Sequence, residues 1–347
     1  MTFAPADRWV WDFWIARDGA DFHLFFLQAD RSLGDPELRH WNVSIGHAVS
    51  TDLKRWQELG TCFRPSAEPA WDDGTTWTGS VIRHGSLWYL FYTGTSKAEG
   101  RKKQRIGLAT SPDLHRWQRH PGNPVVDLDA RFYEEFDPAS WHDRSLRDPW
   151  VVPDPAGDGF RMWFTARAKT GAADGRGVVG TARSDDLLSW NVEAPVTQPG
   201  DFGEVEVPQY LAIGGRFYLL FCSSARRTSA YRRAALVREG RQPETGTHYF
   251  TAEEPSGPWN LAPSPFLAGK NVGSVYAGRV VEGPDGGMMF LGFLDKGTDG
   301  NFVGAISDPI SLAATADGRL MLDQAEAESM RASGAAHYDS AATAAVK

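Results

Sequence analysis

Five short runs along the chain are dominated by aromatic and large apolar residues: FHLFFLQ from Phe22, WYLFYTG from Trp88, FRMWFTA from Phe160, FYLLFCS from Phe217 and GMMFLGF from Gly287. Each is strand-like in length and composition. Turn residues precede them, in ARDGAD, HGS, GDG, IGGR and PDGG. Gly and Asp at these places predict hairpins entering the runs. The starts are spaced 66, 72, 57 and 70 residues apart.

A second repeat follows each of the first four runs. It reads AVSTDLKRW, LATSPDLHRW, TARSDDLLSW and, more loosely, YFTAEEPSGPW, ending on Trp56, Trp117, Trp190 and Trp259. An alternating apolar strand leads into a Ser/Asp turn and then a Trp, once per unit. After the fifth run, VGAISDPISL from Val303 is a degenerate copy without the Trp. Five strand-only units of about sixty to seventy residues predict a five-bladed β-propeller of four-stranded antiparallel blades. The rival, a pair of β-sandwiches, does not predict one unit five times. No amphipathic helix is evident before the end. Residues 1–324 are expected to form the propeller. The Ala-rich tail, 325–347, is expected as a short helix or as disorder.

Composition narrows the partners. The chain has 347 residues, 41% hydrophobic and 23% charged, as in a soluble globular protein. Net charge is −8, and RKKQR at 101–105 is the one dense basic cluster, so nucleic acid is not the expected partner. Cys62 and Cys222 make neither a disulfide framework nor a metal-ligand spacing. The acids of 127–137 do not match a Ca²⁺ loop. No metal or cofactor is expected. MTFAPADRW lacks the basic and apolar regions of a signal peptide, and no apolar run reaches membrane-spanning length. A cytoplasmic protein with no membrane partner is the expectation. The unusual figure is 14 Trp, a surplus that suits stacking on sugar rings.

The first strand of each propeller blade lines the central axis. Reading backwards from the second-strand runs gives VWDFW with Asp12, WTGS at 77–80, RDPW with Asp148, EVEVPQ with Glu206, and GSVYAGR at 273–279. Asp12 alone, among Trp9, Trp11, Phe13 and Trp14, reads as a turn aspartate. With Asp148 and Glu206 on two other blades, it becomes one of three carboxylates facing one axis. That set suits glycoside hydrolysis, where one carboxylate attacks and a protonated carboxyl releases the leaving oxygen. Glu204 competes with Glu206, because alternate strand residues face the same side. His47 reads as a hydrogen-bonded core histidine, and the repeated tryptophans as packing.

Taken together, VWDFW, GHAVSTDLKRW, WTGS, RDP, VEVPQ, THYF and VYA resemble glycoside hydrolase clan J, the invertase-like family 32 and levansucrase-like family 68. The resemblance runs from about Trp9 to about Gly304. It implies a retaining enzyme for β-fructofuranosyl linkages of a small carbohydrate. Asp12 is the implied nucleophile and Glu206 the implied acid/base. Asp148, held by Arg147, is the implied stabiliser of the oxocarbenium-like transition state. Trp11, Gln28, Trp77, Ser80, Arg147 and Tyr276 fall at positions implied to contact substrate. Departures are visible too. Asp12 lies between Trp11 and Phe13 rather than in an Asn-Asp-Pro-Asn turn, Val207 replaces a Cys or Arg, and Ser274 replaces an Asp. The length leaves no room for the C-terminal β-sandwich of family 32.

Three alternatives stay open. A fructosyltransferase shares the covalent intermediate and differs in what intercepts it. A family 43-like arabinofuranosidase or xylosidase uses a similar fold and inverts. A non-catalytic carbohydrate-binding propeller is the third.

Overall fold

The structure is a computed structural model that describes residues 2–269, 275–297 and 300–328. Ser274 and most of the Ala-rich tail lie outside the described residues. Blade one holds β1 (Arg8–Asp18), β2 (Asp21–Asp30), β3 (Ser44–Ser50) and β4 (Gln57–Phe63). Blade two holds β5 (Thr75–His84), β6 (Leu87–Thr95), β7 (Gln104–Ser111) and β8 (Gln118–Arg119). Blade three holds β9 (Leu146–Pro153), β10 (Phe160–Arg167), β11 (Gly177–Ser184) and β12 (Asn191–Glu193). Blade four holds β13 (Glu206–Ile213), β14 (Arg216–Ser223), β15 (Gly246–Ala252) and β16 (Asn260–Gly269). Blade five holds β17 (Val275–Glu282), β18 (Met288–Lys296), β19 (Phe302–Ile306), β20 (Ile310–Ala314) and β21 (Leu320–Leu322).

All strand pairs are antiparallel, and each sheet is a meander. The first strands touch in cyclic order, β1 to β5, β9, β13, β17 and back to β1, which makes the five-bladed propeller. Phe3 closes the ring by exchanging both backbone hydrogen bonds with Ile306, each 2.9 Å. In blade five, the third place of the sheet is shared by β19 and β20, which both pair with β18. The interruption falls at Ser307–Asp308–Pro309 in the degenerate repeat, where proline has no N–H for the ladder.

The apolar runs are the second strands of all five blades. β2 is buried from Phe22 through Ala29, on both faces, because each blade packs between two neighbours. The cores are therefore interblade. Phe91, Ile106 and Leu108 of blade two pack with Met162 and Phe164 of blade three. Hairpin turns enter these strands through residues such as Gly85, whose φ of +59° a side chain would strain.

The Ser/Asp repeat has a local cause. Asp52, Asp113 and Asp186 each accept two backbone N–H groups from residues two and three positions ahead. The next residue, Leu53, Leu114 or Leu187, takes a left-handed φ of 61° to 66°. That conformation costs about 1–2 kcal/mol. Burying the leucine returns about 1.5–3 kcal/mol, so burial wins. All three leucines are buried.

One helix departs from the strand-only expectation. α1 (Ala230–Arg238) lies in the connection between β14 and β15. Only Leu236 of its residues is buried, so it lacks the apolar stripe that sequence periodicity detects. Ser229 caps it by accepting from the Arg232 N–H at 3.1 Å.

Candidate active site

Every first strand breaks register near its N-terminal end. The bulges fall at Asp12 in β1, Thr78 in β5, Asp148–Pro149 in β9, Val207–Pro208 in β13 and Ala277–Gly278 in β17. Asp148, Val207 and Ala277 have φ of 58°, 54° and 49°. A bulge bends the strand and re-aims its side chains. Five bulges at equivalent places aim five strand ends at one axial site.

Three carboxylates occupy it. Asp12 is half-buried, and its Oδ2 accepts from Thr78 Oγ1 at 2.7 Å. Asp148 Oδ2 accepts from Thr165 Oγ1 at 2.8 Å and from the Val207 N–H at 3.1 Å. Glu206 Oε1 accepts from Arg147 Nη2 at 2.8 Å, and its Oε2 accepts from the Tyr276 hydroxyl at 2.7 Å. Arg147 Nη2 also reaches Glu204 Oε1 at 3.2 Å, and Glu204 Oε2 lies 2.9 Å from Arg227 Nε. Glu204 and Glu206 thus meet the same guanidinium.

The charges are unequal. Burial, then Asp148, pushes Asp12 up to about 7 against the Thr78 hydrogen bond. Burial raises Asp148 as well, opposed mainly by Arg147. Burial also works to raise Glu206, but Arg147 and the Tyr276 hydroxyl outweigh it and hold that carboxyl below its ordinary range. Glu204 is raised by burial and by Glu206. Burial and like charge thus favour the protonated form of Asp12, while Arg147 and Tyr276 favour the ionised form of Glu206.

Residues 4–301 match the model of the glycosyl hydrolases family 32 N-terminal domain. The chain belongs to glycosyl hydrolase family 32. A rice (Oryza sativa subsp. indica) β-fructofuranosidase, insoluble isoenzyme 7, is 29% identical over 208 residues, 56% of this chain and 30% of that protein. A wheat (Triticum aestivum) fructan 6-exohydrolase is 31% identical over 182 residues, 50% of this chain and 28% of that protein. The matched stretch covers less than a third of either relative. Among solved structures, the inulosucrase from Halalkalicoccus jeotgali bound to kestose has a TM-score of 0.74 at 19% identity, over 93% of this chain and 90% of that one. A thermostable family-43 glycoside hydrolase has a TM-score of 0.67 at 15% identity, over 92% of this chain and 94% of that one. At such identities the likeness is one of fold.

In this family 32 chain, hydrogen bonds join Arg147 and Tyr276 directly to Glu206. Trp11 is buried under the segment 36–41, with Arg39 over its ring at 5.7 Å. Trp77 is half-buried, and its Nε1 donates to the His40 carbonyl at 3.0 Å. Its ring lies 5.9 Å from that of the exposed Trp41. Two expected contact residues are engaged elsewhere. Gln28 donates to Thr61 at 2.8 Å and Ser44 at 3.3 Å and accepts from Arg8 at 3.0 Å, within blade one. The Ser80 hydroxyl accepts from the Val151 N–H at 3.2 Å, tying β5 to β9. Neither side chain bonds to the three acids.

The sequence reading passed over four residues. Thr78 lay inside WTGS, and its signal was the position next to the Trp. Thr165 carried no signal in FRMWFTA. His40 is half-buried, with Glu206 among the charges around it. Burial and Arg39 push its imidazole down to about 4. Arg279, 2% exposed, donates to the carbonyls of Phe13, Val207 and Pro208 at 3.2, 3.2 and 2.9 Å. It joins the bulges of blades four and one and supplies a cation to Asp148 and Asp12, with burial drawing its own pKa down to about 10. An arginine inside the otherwise apolar run VYAGRVV was the available clue.

His47 is buried, stacked on Phe25 at 4.5 Å, and its Nε2 lies 3.0 Å from His23 Nδ1. In the acid-rich loop, Glu134 pairs with Arg167 at 2.6 Å. No group of three or more His, Cys, Asp or Glu placed to hold a metal occurs among the described residues. No described helix is long and apolar enough to cross a membrane.

Proposed function

We propose that this family 32 domain is a retaining glycoside hydrolase for β-fructofuranosyl linkages in a small fructoside or fructo-oligosaccharide. The observation that carries this reading is the delivery of Asp12, Asp148 and Glu206 from three blades to one site by equivalent bulges. Family membership supports it, as do the activities named for the rice and wheat relatives.

In this reading Asp12 attacks the anomeric carbon, and Glu206 gives a proton to the departing oxygen. A covalent fructosyl–Asp12 ester forms as the glycosidic bond breaks. Glu206, now a base, takes a proton from water, whose oxygen displaces Asp12 and restores both carboxyls. Asp148 stabilises positive charge on the sugar between these steps. Without sugar, burial favours a proton on Asp12, and Arg147 and Tyr276 disfavour one on Glu206. Sugar hydroxyls donating to Asp12 and Asp148 favour their ionised forms, so substrate binding is the step that moves the proton to Glu206. A sugar in place of water gives fructosyl transfer.

The test is a product-resolved NMR assay of wild type and Asp12→Asn on sucrose, short fructo-oligosaccharides and an aryl arabinofuranoside. Fructose release or transfer with retention, lost in Asp12→Asn, is expected. Inversion on the arabinofuranoside would move the chain to the family 43-like reading. No turnover, with sugar binding intact, would leave a carbohydrate-binding propeller.

A further inference from the structure

Three buried threonine hydroxyls, on the second strands of blades two and three and the third strand of blade four, each meet the bulge of the following blade. Thr93 Oγ1 in blade two donates to the Thr78 carbonyl at 3.0 Å and accepts from the Asp148 N–H of blade three at 2.9 Å. Thr165 Oγ1 in blade three donates to Asp148 Oδ2 at 2.8 Å and accepts from the Val207 N–H of blade four at 3.2 Å. Thr247 Oγ1 in blade four lies 3.3 Å from Cys222 Sγ and accepts from the Gly278 N–H of blade five at 3.2 Å. None is more than 1% exposed.

The physical reason is shared. A bulge turns a backbone N–H out of the strand ladder, and a buried N–H requires a partner. A hydroxyl is compact and both donates and accepts. Threonine's branched Cβ restricts its rotamer, so the hydroxyl has a set direction. Each threonine belongs to the blade before the bulge that it holds. The relay therefore transmits the placement of one blade's site residues to the next.

We propose that Thr165 is a positioning residue that fixes Asp148 and the start of the Glu206 strand as one unit. This rests on the retaining fructofuranosidase reading given above. Thr165 is the member whose hydroxyl bonds a site carboxylate and the adjacent blade together. The charged groups around Asp148 are Arg147, Glu206, Arg279 and Asp12, and no other neutral side chain donates to Asp148 among the described residues. Losing the hydroxyl does not orphan the Val207 N–H, which also has Asp148 Oδ2 at 3.1 Å. Thr165→Val is isosteric and is expected to fold.

The experiment compares wild type, Thr165→Val and Thr165→Ser on whichever fructoside wild type turns over. Thr165→Val is expected to lower kcat roughly 10- to 100-fold, with KM within about threefold, as for a misplaced reacting group. Its Tm should fall by only a few degrees, roughly what one hydrogen bond contributes. The acid limb of its kcat profile should move to higher pH, because a hydrogen bond to ionised Asp148 is gone. Thr165→Ser should restore most of kcat and the limb. Unchanged kcat and pH profile in Thr165→Val would overturn the proposal. So would parallel loss of kcat and Tm without rescue by serine. A second readout needs no turnover: ¹³C-carboxyl NMR titration of Asp148, with its pKa raised in Thr165→Val and restored in Thr165→Ser. If wild type hydrolyses no fructoside, the functional reading fails. The titration then decides the positioning claim alone, and an Asp148 curve unmoved in Thr165→Val rejects it.

Discussion

The Tyr276 hydroxyl donates to Glu206 Oε2 across 2.7 Å, from blade five to blade four. It shares Glu206 with Arg147, and together they hold that carboxyl below its ordinary range. A hydrogen bond to a charged group is worth about 1.5–3 kcal/mol. Tyr276→Phe should therefore cut kcat/KM roughly 10- to 100-fold. The limb that reports Glu206 should shift to higher pH, since the phenol lowers its pKa. An unmoved pH profile would remove Tyr276 from the acid's surroundings.

Asp12 links activity to stability. Its carboxyl titrates near 3.8 when unfolded and at about 7 in the fold. The folded state binds this proton more tightly, so its contribution is full below the lower value. It is lost as pH rises through the upper one. Asparagine carries no such pH dependence. The Tm of Asp12→Asn relative to wild type should rise between pH 4 and pH 7.5, while activity falls at least ~10³-fold. A Tm difference that is flat with pH would show that Asp12 is not raised.

Gln28 separates a structural role from a substrate contact. Its amide and carbonyl both bond within blade one. Gln28→Leu should cost about 1–3 kcal/mol of stability by leaving buried partners unmet. Its kcat and KM should stay within about twofold of wild type. A large rise in KM with unchanged denaturant midpoint would return Gln28 to the sugar.

His47 makes blade one acid-sensitive. Burial, with the charges of His23 and His115, pushes its imidazole from 6.5 down to about 3. A lowered base stabilises the fold above its unfolded value, and that stability fades as pH falls from 6.5 towards 3. Phenylalanine can keep the stacking on Phe25 while removing the titration. His47→Phe should lower Tm at pH 7, where His23 loses a partner, and flatten the Tm decline between pH 6.5 and pH 4. An equally steep decline would place the acid sensitivity elsewhere.

Much of the architecture was legible in the chain. The second strands appear as apolar runs because both faces are covered. The Ser/Asp turns recur because each caps itself within a few residues. Local causes of this kind leave local marks. The three acids were legible as first-strand residues ahead of each run, and the family resemblance rested on the same places. α1 was missed because it buries little. Gln28 and Ser80 were legible as polar residues on strands, but their hydrogen-bond partners lie on other strands far along the chain.

The sequence by itself determined the number of blades and the order of strands, and it put Asp12, Asp148 and Glu206 on three different blades. Only the tertiary structure decided what each acid meets. Thr78 reaches Asp12 across 66 residues, Val207 reaches Asp148 across 59 and Tyr276 reaches Glu206 across 70. Each separation is about one blade. These contacts exist because the ring closes and five bulges turn inward, and no window shorter than a blade contains both partners.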